Sequence, residues 1–236
     1  MAELNQVRDG RKGHAYRMYE TGEEITTPTE LKKGHFYYIT AKGATSGFDA
    51  DDEVGDTIYI TANSKITLKE GDKVKLISLA FLGFANEKSL SESKNTNEVT
   101  CDKDDSSNFV SDGITTTSGN INGYSLMLEG DSNDAKALNE IKASFHKMVI
   151  EDKEGTRNVT SQTNKKFMIM FNWDAKDIAE GEHFSADIVP CFLTQNEKNG
   201  SYGSGSSMNL SYQGCDSDEY GHQRMEIQSV YTAPVA

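Results

Sequence analysis

Short runs of β-branched and aromatic residues, bounded by glycines and Gly-Asp pairs, dominate the chain and predict strands far more often than helices. Segments 35–41 and 57–61 are two such runs. Residues 69–72 read as a turn into a longer run, 73–82. Within it Val74 and Leu76 share one phase while Ile77, Leu79 and Phe81 share the other, which predicts a bulge or a change of buried face near Leu76. The strand signal returns at 120–128, with Tyr124, Leu126 and Leu128 on one face. Residues 166–173 are apolar in both phases, the pattern of a central strand covered on both sides. In 182–193, Phe184, Ala186, Ile188 and Phe192 alternate with more polar neighbours. Pro190 lacks an amide donor and is expected at an edge or a bulge. Segments 208–213 and 222–231 are the last strands, the second burying Met225, Ile227 and Tyr231.

One segment has helical spacing. Leu138, Ile141, Phe145 and Met148 predict a helix over about 133–148, capped by Asp131, Ser132 or Asn133 and laid on a sheet. Stretches 85–96 and 102–119 are polar and aperiodic, and are expected to be long surface loops that act as contact arms. The Gly/Ser/Asn-rich stretch 195–207 reads as a connection. The expected fold class is mainly β, a β-sandwich or barrel of roughly eight or more strands with one flanking α-helix, plus a small N-terminal β module. The expected division is an N-terminal arm at 1–30, that module or the first strands of the main domain at 31–80, and the main domain at 81–236.

Composition changes this picture little, and charge changes it more. With 36% hydrophobic and 26% charged residues, the 236-residue chain has an ordinary globular balance. Its 37 acidic against 24 basic residues, a formal charge of −13, argue against a surface that grips nucleic acid by neutralising phosphates. No run approaches the roughly 18 apolar residues of a membrane span, and the start lacks the apolar core of a signal peptide. The chain is therefore expected to be made in the cytoplasm, where the sequons at Asn158, Asn199 and Asn209 carry no weight. Cys101, Cys191 and Cys215 are odd in number and widely spaced, so reduced thiols are expected.

Candidate chemistry fails on spacing. The acidic run 49–56 invites calcium, but Val54 stands where the loop needs glycine and Ile60 where it needs a bidentate glutamate. Counting from Asp102 or from Asp216 also misses at least one required position. His14, His35, His146, His183 and His222 have no zinc-hydrolase spacing, although distant residues can still meet in space. Residues 200–205 hold glycines without a phosphate-loop lysine, and no nucleophile elbow is present. The single tryptophan, Trp173, lies in the most buried-looking strand, where a core role is expected. No catalytic, cofactor-binding or metal-binding residue is assigned.

A resemblance enters at Glu98. Val99 to Asp102, the polar stretch to Gly113, the strand opening from Ser118 to Tyr124 and the helix from Leu138 to Met148 resemble the major tail tube proteins of tailed bacteriophages. The closing segment from Ser201 to Tyr231 is also similar to that family's C-terminal end. Residues 31–79, with Gly34 to Gly43, Glu53 to Asp56 and Ile66 to Lys75, resemble a small β module found in front of some phage virion proteins. The resemblance implies a β-sandwich or barrel with a flanking helix, assembled into rings, usually hexameric, that stack into a hollow tube for double-stranded DNA. It implies other tail proteins, such as the tape measure, initiator and terminator, as partners, a place in the virion, and no enzyme activity or cofactor. Loops 41–56 and 102–119 are expected to order only on assembly. Three alternatives stand beside it: a head-tail connector or tail terminator, a carbohydrate-binding or adhesin-like β-sandwich with several aromatics on one face, and a carboxylate-dependent hydrolase.

Overall fold

The computed structural model describes residues 14–26, 29–82, 87–98, 109–123, 133–145, 148–152, 155–159, 165–173, 180–200, 206–218 and 220–234. In chain order its elements are β1 (His14–Thr26), β2 (Phe36–Ala41), β3 (Thr57–Tyr59), β4 (Lys73–Phe81), β5 (Glu87–Glu98), β6 (Phe109–Gly123) and α1 (Asn133–Lys142). There follow β7 (Met148–Asp152), β8 (Gly155–Val159), β9 (Phe167–Asn172), β10 (His183–Asn199), β11 (Ser207–Gly214) and β12 (Met225–Val230). Ten strands form one curled antiparallel sheet, a half-barrel, in the order β3-β2-β4-β1-β9-β10-β11-β6-β5 with β12 also on β10. β7 and β8 pair only with each other. The mainly β fold with a single short helix that the sequence predicts is the fold observed.

The sheet forks at β10. Its first half, His183 to Ile188, pairs with β12, and its second half, Cys191 to Asn199, pairs with β11 along the same edge. Pro190 lies between the two partners. Its carbonyl accepts from the Cys215 amide at 2.9 Å, so its nitrogen faces the same edge, in the gap where no ladder donor is needed. The proline is thus neither at an outer edge nor a defect, and it pairs with Met168 of the central strand on the other side.

Strand β9 explains how one sheet serves two cores. Phe167, Ile169 and Phe171 face the helix, where they pack with Leu138 and Ile141, whereas Met168 and Met170 face the inside of the curl beside Met18 and Ile188. A strand buried on both faces needs apolar residues in both phases, which is the pattern its sequence carries. Strand β4 runs past three cores in succession. Val74 belongs to a cluster with Tyr37, Ile39 and Phe48, Ile77 to the inside of the curl, and Leu82, just past the strand, to the helix side. The phase change expected near Leu76 is real, but the extra residues are on the neighbouring strand. Thr21 pairs with Leu76 and Ile25 with Val74, a step of four residues on β1 against two on β4, with Gly22 at φ 75°.

The curl brings the far strand β3 back to β12. The Gln223 amide donates to the Gly55 carbonyl (3.3 Å), the Thr232 amide donates to Tyr59 Oη (2.9 Å), and Thr232 Oγ1 accepts from the Ala62 amide (2.8 Å). These contacts tie the half-barrel together near both ends of β12.

Several expectations are corrected. Residues 14–26 are not part of an arm; they form β1, paired between β4 and β9 near the middle of the sheet. The stretch 85–96 and the end of 102–119 are not loops, since β5 and β6 pair with each other over 87–98 and 109–122. Residues 195–199 continue β10 instead of connecting it to β11. The helix ends at Lys142, where the Ser144 and Phe145 amides turn back to Ile141 and Lys142. Phe145 is 40% exposed and Met148 opens β7, so neither belongs to the helical stripe. Tyr124, Leu126, Leu128, Asp131, Ser132, Cys101 and His146 lie outside the described residues.

Loop 41–56, expected to order on assembly, is tied down by hydrogen bonds from within the single chain. The buried Asp72 carboxylate accepts from the amides of Gly43 (2.9 Å), Gly47 (2.7 Å) and Lys69 (2.9 Å). Lys42 Nζ donates to the carbonyls of Asp49 (2.9 Å), Ala50 (3.2 Å) and Asp52 (2.6 Å), so a side-chain ammonium sits where the acidic run would otherwise hold a cation. Burial pushes the Asp72 carboxyl up, but the three amides outweigh it and hold it at about 2, below the ordinary 3.8. Because the folded value is the lower one, this contribution is complete above about pH 4 and is lost as pH falls toward 2. Asp72→Asn is expected to lower stability by about 2 kcal/mol at neutral pH and to flatten that acid limb, read by urea denaturation across pH. A wild-type and variant pair with parallel acid limbs would refute the assignment.

Candidate functional site

Three places could interact with something outside the chain: a projecting ribbon and the two ends of the half-barrel. The ribbon follows from unequal strand lengths. β11 pairs with β6 only from Ser118 to Gly123, so Phe109 to Thr117 of β6 and Glu92 to Glu98 of β5 pair with each other alone. Seven residues of β5 project about 23 Å at the usual strand rise. A shift in register between Lys94 and Thr96 coincides with Gly113 at φ 82°. The side chains of Ser91 to Lys94, Thr115 and Thr116 are exposed, and Ser93 Oγ lies 2.7 Å from Thr116 Oγ1. A two-stranded ribbon on its own is marginal in water, and among the described residues no further strand pairs with its outer edge.

The base of the ribbon is held by charge. Arg224 Nη2 lies 2.7 Å from Glu92 and 3.3 Å from Asp187, and Asp187 accepts from Trp173 Nε1 at 2.6 Å. Trp173 is half-buried and stacks on Phe171 (5.6 Å), so its core role is observed, with a polar tether added. Burial pushes the Asp187 carboxyl up, against the pull of the Trp173 hydrogen bond and of Arg224.

One end of the half-barrel is plugged by His222, which is 3% exposed. Its ring stacks on Tyr38 with centroids 3.4 Å apart, Nδ1 lies 2.7 Å from Asp218 Oδ2, and Nε2 lies 2.9 Å from Glu20 Oε1. Both ring nitrogens therefore face carboxylate oxygens, one on each side of the ring. Lys75 pairs with Glu20, and the Asp218 side chain accepts the amides of Tyr220 and His222, each at 2.9 Å. Among the described residues the buried Tyr38 hydroxyl has no hydrogen-bond partner; burial drives its pKa well up and both carboxylates reinforce the shift. The two carboxylates lie on opposite nitrogens of one ring, an arrangement that locks a side chain and does not converge on an ion. Among the described residues no group of three His, Cys, Asp or Glu side chains is placed to hold a metal.

At the other end the described residues line a cavity of about 640 Å³, among them Tyr16, Phe36, Tyr59, Leu79, Phe184 and Tyr231. Tyr59 packs against Phe36 (4.7 Å) and edge-on to Phe184 (5.2 Å), and its hydroxyl is fixed to Thr232.

Of the histidines weighed as ligands, His14 and His222 are buried, His35 is half-buried beside that cavity, and His183 is exposed. Cys191 is buried and Cys215 half-buried, both as free thiols. The sequence carries the four-residue spacing of Asp218 and His222 but no sign of Glu20, which tertiary pairing supplies. Among the described residues no helix is long and apolar enough to cross a membrane. No known protein family matches the chain, and no curated protein or solved structure matches it.

His222→Phe retains a ring over Tyr38 and removes one partner from each carboxylate, while Glu20 keeps Lys75 and Asp218 keeps the amides of residues 220 and 222. It is expected to cost about 2 kcal/mol in urea denaturation. A loss below about 0.5 kcal/mol, the size of an ordinary surface change, would show that the plug is not structural.

Proposed function

We propose that this chain is a structural subunit of a phage tail tube. It self-assembles into rings, hexameric on the resemblance, that stack into a channel for double-stranded DNA within the virion. The observation that carries this reading is the β5–β6 ribbon, which pairs beyond the end of β11, exposes Ser91 to Lys94, Thr115 and Thr116, and has no further strand on its outer edge among the described residues. Joining such edges around a ring extends each sheet and removes the exposed backbone. The formal charge of −13 suits a wall that duplex DNA slides past, because adhesion needs cations that displace counterions. Tape measure, initiator and terminator proteins are the expected partners. A connector or terminator would use the same edge chemistry but stop at one ring.

Negative-stain imaging of the concentrated chain, alone and with its nucleating partner, is expected to reveal stacked annuli with a central hole. Replacing residues 95–114 by an Asn-Gly turn joins the paired residues Lys94 and Thr115 and removes the ribbon. That variant is expected to keep the circular dichroism and urea midpoint of the isolated chain and to lose the annuli. Solitary particles under every condition, or annuli that survive the shortening, would overturn the proposal, and single rings that never stack would move it to the connector class.

A further inference from the structure

We infer that Asn199 is a site of spontaneous covalent modification, at which the chain converts its own asparagine amide to a carboxylate. Asn-Gly is the reactive pair for this chemistry, because glycine lacks the Cβ that shields its amide nitrogen from the preceding side chain. The chain carries the pair twice, at Asn122–Gly123 and at Asn199–Gly200. The fold holds the two differently, and that difference selects the second.

Asn122 is fixed on both sides. It pairs with Glu87 of β5 and with Asn209 of β11, and Gly123 is buried opposite Met208. Asn199 is the last residue of β10, and its pair with Ser207 is the final rung against β11. Both Asn199 and Gly200 are exposed. The nearest described group to a Cβ placed on Gly200 is Ser206 Oγ at 3.2 Å, on a short side chain that is itself exposed.

The step is a ring closure. The Gly200 amide nitrogen gives its proton to solvent base and bonds to Asn199 Cγ. The Cγ–Nδ2 bond breaks, and the side-chain nitrogen leaves as ammonia with a proton returned by solvent. Water then opens the cyclic imide at either carbonyl. One product is aspartate; the other is isoaspartate, in which the backbone runs through the former side chain. One amide and one water are consumed for one ammonia and one carboxylic acid. To bring the Gly200 nitrogen onto its own side chain, the backbone at Asn199 must leave the strand conformation. A terminal rung opens at little cost, whereas Asn122 moves only if pairs with two flanking strands break together.

Either product adds a carboxylate to a chain already at −13, and isoaspartate lengthens the backbone of β10 by one carbon, so that the ladder ends at Lys198. The reaction belongs to the single chain and stands apart from tube formation.

The test ages the full chain in warm, mildly alkaline buffer and follows both Asn-Gly pairs by peptide mapping. Electron-transfer fragmentation separates aspartate from isoaspartate, and released ammonia is measured in parallel. Asn199 is expected to convert about tenfold or more faster than Asn122. The chain unfolded in guanidinium is expected to convert the two at similar rates, which assigns the difference to the fold and not to the flanking sequence. Asn199→Gln is expected to abolish conversion at that position and to leave Asn122 slow. Comparable rates in the folded chain, Asn122 reacting first, a ratio unchanged by unfolding, or an Asn199 that stays intact while the unfolded chain reacts would overturn the proposal. The wild-type comparison stands even where the variant does not fold.

Discussion

One row of backbone groups along the edge of β10 governs this architecture. A strand edge can pair with one partner at a time, and β10 divides that edge between β12 and β11. From the fork, β12 leads back toward β3 and closes the curl, while β11, β6 and β5 run outward into the ribbon. The fork therefore separates a compact half, with an interior, from an extended half, with an edge. Pro190 marks the point where the row changes hands, the one place on a central strand where a missing donor leaves no acceptor bereft.

Packing enforces the same division. The first half of β10 sends Phe184, Ala186 and Ile188 inside the curl, and the following residues Val189, Cys191 and Leu193 join the core beneath α1. Arg17 fastens that helix to β1: its Nη1 donates to the Ala137 carbonyl (3.3 Å) and pairs with Glu140. A buried Arg and a buried His, each with acidic partners, thus stand on the two faces of the central strands. Removing one partner from such a pair costs more than the pair itself contributes, which makes these positions intolerant of change.

What the sequence made legible was burial, and what it hid was pairing. Strands β2, β4, β9 and β12 were readable because their apolar residues keep a strand phase. β1 was not, because Arg17 and Glu20 interrupt the phase, and both are reconciled with burial only by Glu140, Lys75 and His222 from elsewhere in the chain. β5 carries almost no apolar residue, so a strand held largely by backbone bonds and polar side chains read as a loop. The helical spacing of Phe145 and Met148 continues past the point where the backbone turns, so periodicity alone overran the end. The aromatic cavity was beyond reach for a plain reason: Tyr16, Tyr59 and Tyr231 are brought together only by the curl.

The two ends of the half-barrel are chemically unlike, and this bears on any assembly. One end is sealed by a charged cluster around His222, and at the other the described residues are largely aromatic and uncharged. A subunit that stacks head to tail needs two different surfaces, since identical ones close into a pair and stop, whereas unlike ones leave each new copy a free face. The ribbon adds a third direction, projecting from the sheet beyond the fork. Among the described residues no strand covers the outer edge of this ribbon of roughly 23 Å, and natural sheets ordinarily shorten or cover such edges. On the tube proposal, the counterpart of that edge lies on another molecule.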